Sequence, residues 1–548
     1  MQYLKSIYFY FLAIKINLSA TFKKIYLTTD YYNSSLQSKV PDQFYFFPNP
    51  FLLSSITSYK NFSFKMSRIN LNTFWDKQPS LVEEKKINSF LWLNIIDRKA
   101  DVLIIQRIIS SWIDNNKKYK RKIWDNSILS RRVISWILNS EIVLKNTNEY
   151  FKKSFFNSII IQTNHLKKSL NSEHNYSNKI EILTAILLSG LVFKEYLSNF
   201  HFGIKELESL IEEFFDKEGF PMSRNPNHLL KFSKYLIIVK ECTKDAQQYV
   251  PDFLDEIIEK NLNCIRNITT PDNKMPLFNG GTEIKLDDFF SYINNLGYKN
   301  KLIDSTVGGI KTLKHKKCFV IFDIGNPPQK KFSSAYQSGP LSFEYYFDKK
   351  KIITNCGFGY NISEKAMHLS RLTSAQSCLT INDTSVLKFE RNKIINKAFG
   401  NSIKGSFKVL NSNLKDEEEK LCSTASHNSY VKYFGYQHKR QIKINKNDES
   451  LMGFDELSKR ENGLNINYNV RFHLYPGINV IQTMGGYSAL IQIEKNRSLI
   501  FTSINQKISV EKSIFLGRNK ILNNLSIVIA GKLNNESKII NWVLKKNI

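Results

Sequence analysis

Hydrophobic positions along this chain follow one period up to about residue 305 and another after it. In the first part, Ile104, Ile105, Ile108, Ile109, Trp112 and Ile113 recur at i, i+1, i+4, i+5, i+8 and i+9, one face of an α-helix. Leu129, Val133, Trp136 and Ile137 repeat the pattern, as do Ile180, Leu183, Leu187 and Leu191. Further helical runs are predicted over Ile204–Phe215, Asn227–Cys242, Val250–Cys264 and Leu286–Asn294, with Gly219, Pro221, Pro226, Pro251 and Pro271 at their edges. After Gly308-Gly309 the apolar positions alternate. Lys317–Ile324 reads as a strand, and Leu341–Phe347 with Lys351–Thr354 as a hairpin turning at Asp348-Lys349-Lys350. Strands are also predicted at Tyr430–Tyr436, Gln441–Ile444, Val470–Tyr475, Leu499–Ser503 and Leu525–Ala530.

A block of helices followed by a block of strands predicts two domains rather than an interleaved α/β sheet. The expected boundaries are 1–65 for a leader and irregular segment, 66–304 for a helical domain and 305–548 for an antiparallel β-sandwich. At 548 residues the chain exceeds what one core serves. The apolar run Ser6–Ile14 is too short to span a bilayer and is followed by Lys15, so it reads as a first helix on the body or a degenerate leader. No membrane span is expected.

The formal net charge of +29 favours polyanions as partners, yet Lys is spread along the whole chain, as codon bias in a low-GC genome would also produce. Nucleic acid is not expected, because no binding module accompanies the charge. Six cysteines without a C-x-x-C pair give no zinc knuckle or redox motif and read as buried free thiols.

The segment Met367–Ser385, MHLSRLTSAQSCLTINDTS, carries most of the remaining information. It resembles the R-x-T-x-A-H-x-T-L-x-[ILV]-[ND] signature of heparinase II/III-type polysaccharide lyases, with Gln376 where that family has a histidine. Other segments resemble the family in the same order: Phe74-Trp75, Ser89–Asp97, Ser130–Trp136, Glu218-Gly219 with Ser223–Pro226, Leu341–Glu344, Asn355–Gly357, His427–Tyr430 with His438–Arg440, and Arg471–Gly477. The resemblance implies an incomplete (α/α) toroid joined to an antiparallel β-sandwich, and a β-elimination on uronate-containing glycans. That reaction neutralises the uronate carboxylate, removes the C5 proton with a base and protonates the leaving oxygen with an acid.

By position the family's catalytic tyrosine aligns near His228 and its histidines are replaced, so the catalytic candidates are the residues that remain: His228 as base, Tyr336 or Tyr430 as acid, His427, and Gln376 as a donor that shuttles no proton near neutral pH. Substrate-binding candidates are Asn178, Arg224, Asn225, Tyr360, Arg371, His438 and Arg440, with Tyr360 a further acid candidate. Arg224 suits a bidentate carboxylate contact; Arg224-Asn225-Pro226 reads equally as a helix start with Asn225 capping. No metal is expected, since Ala335–Gly339 and Gln376 lack the family's nitrogen and carboxylate ligands together, and no cofactor is expected. The implied partner is an acidic polysaccharide, met in the periplasm or cell envelope, with the cytoplasm as the alternative. A glycan-binding or envelope-assembly protein with a decayed acid–base set is the rival reading.

Overall fold

A computed structural model describes residues 2–57, 81–96, 102–302, 306–460, 463–494 and 496–547. Phe74-Trp75, Asp97 and the expected boundaries at 65/66 and 304/305 lie outside the described residues or next to a stretch that does. The helical part centres on Tyr176–Val192, whose residues from Ile180 to Val192 are all buried. A helix apolar all round belongs in a core. It is flanked by Asn126–Leu138, Glu149–Leu170, Leu197–Phe214 and Pro226–Asp245, forming an incomplete toroid of helices. Short polar caps start these helices: Asp125, Asn148, Asn175 and Asn225 each accept a backbone N–H of the first turn.

The N-terminal segment packs on the body of the protein. Gln2–Tyr26 is a helix, and Leu27, Tyr32, Leu36, Phe44, Leu52 and Leu53 are buried in the helical core. Their apolar side chains tie this stretch to the helical core.

The β part has three main sheets, all antiparallel. Ile310–His315, Cys318–Asp323, Phe343–Phe347 and Lys350–Ile353 make a meander whose last turn, Asp348-Lys349, has positive φ at both residues, as a tight hairpin requires. An eight-stranded sheet runs Asn479–Gln482, Ser488–Glu494, Arg497–Ser503, Lys538–Lys546, Leu451–Lys459, Tyr436–Asn445, Lys420–His427, Val409–Asp416. Against it packs a sheet of Ile508–Phe515, Leu522–Asn534, Asn465–His473 and Leu379–Ile381.

The meander lies between the two cores. Phe319, Ile321 and Tyr346 join the helical core, whereas Cys318, Val320, Phe322, Phe343, Tyr345 and Phe347 join the sandwich core. Period-2 alternation therefore serves two apolar partners at once. The predicted strand Tyr430–Tyr436 is instead one helical turn, Val431–Phe434, ended by Gly435 at φ +81° before the strand begins at Tyr436. All six cysteines are free and buried.

Candidate functional site

The N-terminal ends of the helices Tyr176–Val192 and Pro226–Asp245 and the C-terminal end of Leu197–Phe214 meet loops of the meander. The Phe332 ring packs against Tyr176 and Phe214 at centroid distances of 5.2 and 5.8 Å, and Lys331 pairs with Glu213 at 2.7 Å. At this end of the helix Pro226–Asp245, residues His228, Lys231 and Tyr235 fall at i, i+3 and i+7 and share one face.

That face meets Glu181. The carboxylate is fully buried, and its Oε1 accepts from Arg131 Nη2 at 2.8 Å and Nε at 3.0 Å, Lys231 Nζ at 2.8 Å and Tyr235 OH at 2.9 Å. Oε2 is buried and has no hydrogen-bond partner. Burial alone would raise the Glu181 pKa; Lys231 and Arg131 outweigh it and hold the carboxyl below its usual range. The two cations are not enclosed with it: the Lys231 side chain is 24% and Arg131 37% exposed. A buried anion thus fixes two partly exposed cations on one oxygen, and burial lowers the Lys231 pKa.

His228 is half-buried beside them, with Nδ1 2.8 Å from Ser223 Oγ and its ring against Phe214. Burial, then repulsion from Lys231, lowers its pKa to about 4, so the imidazole is neutral at pH 7. Among the described residues no protein group is recorded on Nε2. In the tautomer that donates Nδ1–H to Ser223 Oγ, the Nε2 lone pair is free to act as a base.

Asn178 is close by, its amide donating to Glu173 Oε2 at 3.2 Å alongside Asn126 Nδ2 at 3.0 Å. Asn225 is the N-cap of its helix, accepting from Asn227 N at 2.9 Å, with Pro226 at the first helical position. The capping role is the one the geometry gives it.

The remaining expected residues go elsewhere. Arg224, at φ +57°, is buried and donates to Gly308 O, Gly309 O, Gly325 O, Asn326 O and, at 2.5 Å, Asp323 Oδ1. Five acceptors match the five guanidinium N–H groups, leaving none for a substrate carboxylate. It joins the helical domain to the meander. Gly325 makes room for it, since a Cβ there would sit 2.3 Å from Nη2. Tyr336 is buried beside this arginine, which lowers its phenol pKa while burial raises it more.

Arg371 is fully buried, donates to three backbone carbonyls (Tyr336, Asn401 and Ser333) and stacks on Phe389 at 4.0 Å. Gln376 is buried and donates to Ser370 O at 2.8 Å, an acceptor it shares with Gln337.

His427 and His438 are cross-strand partners, as their spacing suggested, but they face the sandwich interior. A chain runs from Ser429 Oγ to His427 Nδ1 (2.6 Å), His427 Nε2 to His438 Nδ1 (3.0 Å), and His438 Nε2 to Asp455 Oδ1 (2.8 Å). Arg440 grips the same Asp455 with Nε at 2.7 Å and Nη2 at 3.1 Å. Burial pushes both histidine pKa values down, and neither ring nitrogen is left for substrate. Tyr430 is likewise enclosed, its OH donating to Leu379 O at 2.9 Å. Tyr360 is 67% exposed and stacks on Phe358, sharing no recorded contact with His228 or Lys231.

Arg131, Glu181 and Lys231 were not among the expected residues. Their signal in the sequence is a single carboxylate within the apolar run Ile180–Val192 and cations at corresponding ends of neighbouring helices. Among the described residues no group of three or more His, Cys, Asp or Glu could hold a metal ion.

Residues 299–543 match the family model described as Heparinase II/III-like, C-terminal. The solved structure of Heparinase III is similar with a TM-score of 0.69 at 14% identity, covering 94% of this chain and 89% of that one. The heparan sulfate lyase HepC from Pedobacter heparinus gives 0.63 at 15%, over 93% and 85%. A chondroitinase AC lyase gives 0.53 at 12%, over 91% and 82%. At such identities the likeness is one of fold. No curated protein sequence matches the chain.

Proposed function

We propose that the helix-end site binds an acidic, uronate-bearing polysaccharide and cleaves it by β-elimination, on a chain whose residues 299–543 match the Heparinase II/III-like, C-terminal model and whose fold is similar to that of Heparinase III. The observation that carries this reading is the Glu181-anchored pair of cations beside a neutral, half-buried His228. Arg131 and Lys231 would neutralise the uronate carboxylate, which acidifies the C5 proton. His228 Nε2 would take that proton. The bond broken is the one between C4 and the glycosidic oxygen, which takes a proton from solvent as it leaves, and the product carries a C4–C5 double bond conjugated to the carboxylate.

A second reading, a glycan-binding protein without the elimination step, is favoured by one observation. The phenols of Tyr235, Tyr336 and Tyr430 are all buried, and Gln376 is bound to Ser370 O, so none of them presents an acid to the leaving oxygen.

Ultraviolet absorbance of the unsaturated uronate, followed over a panel of heparan, chondroitin, hyaluronan and alginate, separates the two. A rise that disappears in His228→Asn supports the lyase. Binding without a rise supports the second reading, and neither binding nor a rise overturns both.

A further inference from the structure

The β domain carries a cavity of about 370 Å³ that no step of the reaction above uses. Residues 328–330 form one wall and residues 403–406 the other. Both walls are held from behind. Pro327-Pro328 stiffen the first, and its ends are fixed. Asn326 O accepts from Arg224 Nη1 at 3.2 Å and Asn326 Oδ1 from Val409 N at 2.8 Å, while Ser333 Oγ accepts from Ile403 N at 3.0 Å. The fully buried Arg371 ties the two walls together, donating to Ser333 O at 2.8 Å and to Asn401 O at 2.6 Å. Arg371, expected to touch substrate, instead frames this cavity.

The lining has one sign of charge. Lys330 and Lys404 are its ionisable groups, both exposed, and Gln329 and Ser406 add an amide and a hydroxyl. Each cation is positioned by a neighbour. Lys330 Nζ lies 5.1 Å from the centroid of the Phe9 ring, and Lys404 Nζ pairs with Glu390 Oε2 at 2.9 Å. That carboxylate is only 4% exposed, and its Oε1 accepts from Asn392 N at 2.9 Å. Glu390 thus orients Lys404 from the protein side, and a ligand entering the cavity meets two cations and no carboxylate. Such a lining suits an anion on a hydroxyl-rich body.

The same loop leads to the helix-end site. Lys331, next to Lys330, pairs with Glu213 at 2.7 Å, and the Phe332 ring packs on Phe214, which packs on His228 at 5.8 Å. A polymer bound at His228 therefore has a path over Phe332 and Lys331 to the cavity.

Resting on the glycan reading above, we propose that this cavity is a distal subsite for an anionic sugar of the same polymer. Lys330 and Lys404 take its carboxylate or sulfate, and Gln329 and Ser406 its hydroxyl groups. Once the helix-end site is occupied, filling the second site is intramolecular, so the gain goes only to chains long enough to reach both.

The test is calorimetric titration of the full chain with heparan sulfate oligosaccharides of two lengths, a tetrasaccharide and a dodecasaccharide. The longer one is expected to bind more tightly. Lys330→Gln with Lys404→Gln should weaken it about tenfold and leave the tetrasaccharide unchanged. Ser406→Trp fills the cavity with both charges kept; it should do the same, and carries the test should the charge variant misfold. Lys512→Gln with Lys532→Gln removes equal charge from exposed positions on the strands Ile508–Phe515 and Leu522–Asn534 and should alter neither affinity. Folded cavity variants that bind the dodecasaccharide as well as wild type, or an equal loss in the Lys512 and Lys532 variant, would overturn the subsite. Arg131→Met with Lys231→Met tells this failure from that of the helix-end reading. If the subsite alone is wrong, this variant loses both ligands and the cavity variants lose neither. If the helix-end reading alone is wrong, this variant keeps both and the cavity variants still lose the longer one. Wild-type protein that binds neither length overturns both.

Discussion

Replacing Asp455 by Asn tests the assignment of His427, His438 and Arg440 to the sandwich interior. Asp455 is fully buried; Oδ1 accepts from Arg440 Nε at 2.7 Å and His438 Nε2 at 2.8 Å, and Oδ2 from Arg440 Nη2 and Trp542 Nε1, both at 3.1 Å. Burial would raise its pKa, but Arg440 and His438 outweigh it and hold the carboxyl at about 2 against the ordinary 3.8. At ~1.4 kcal/mol per pH unit this depression is worth about 2 kcal/mol of pH-linked stability. Because the folded pKa is the lower one, that contribution is complete above about pH 4 and is lost as pH falls towards 2. At pH 7 the Asn variant loses more. It strands a buried guanidinium and turns an amide N–H₂ towards existing donors, at a cost of ~3–5 kcal/mol. For a unit of this size each kcal/mol lowers Tm by ~2–4 °C, so calorimetry should record a drop of ~6–20 °C. Glycan binding below the transition should be unchanged. A shift of under ~1 kcal/mol, or binding abolished with Tm unmoved, would refute the structural assignment.

Arg224→Met should destabilise the docking of the two domains by ~3–5 kcal/mol, because Asp323 loses its cation in a buried site; limited proteolysis between the domains reads it. Any elimination rate should fall as pH drops through about 4, where His228 takes up a proton and ceases to be a base; a pH–rate profile checks the limb, and a flat profile excludes His228. Native protein should resist iodoacetamide at all six cysteines, which are buried, with burial pushing Cys264, Cys356 and Cys378 up to about 12. Mass spectrometry should find labelling only after unfolding.

Much of the fold is legible in local patterns. Lys317–Ile324 declares a strand by its apolar residues, and the observed Cys318–Asp323 sends alternate side chains into two cores. Asn225-Pro226 declares a helix start and is one. The site was harder, for two physical reasons. His438 and Arg440 share the inward phase of their strand with Tyr436, Ile442 and Ile444, so strand parity already placed them inside, whereas their polarity suggested a ligand. Arg131, Glu181 and Lys231 come from three helices, and only the packing of those helices puts them on one carboxylate oxygen. Arg224 shows the same limit: its five acceptors include carbonyls about a hundred residues away, at Gly325 and Asn326.

The most direct test of the central claim is a calorimetric titration of wild type and the double variant Arg131→Met, Lys231→Met with uronate oligosaccharides. The two cations are expected to contribute at least about a hundredfold to affinity, since each is a partly desolvated partner for the carboxylate. Binding by the wild type that collapses in the folded double variant is the predicted result. Affinity in the double variant equal to wild type would contradict the account, because it would put the acidic glycan somewhere other than the Glu181-anchored site.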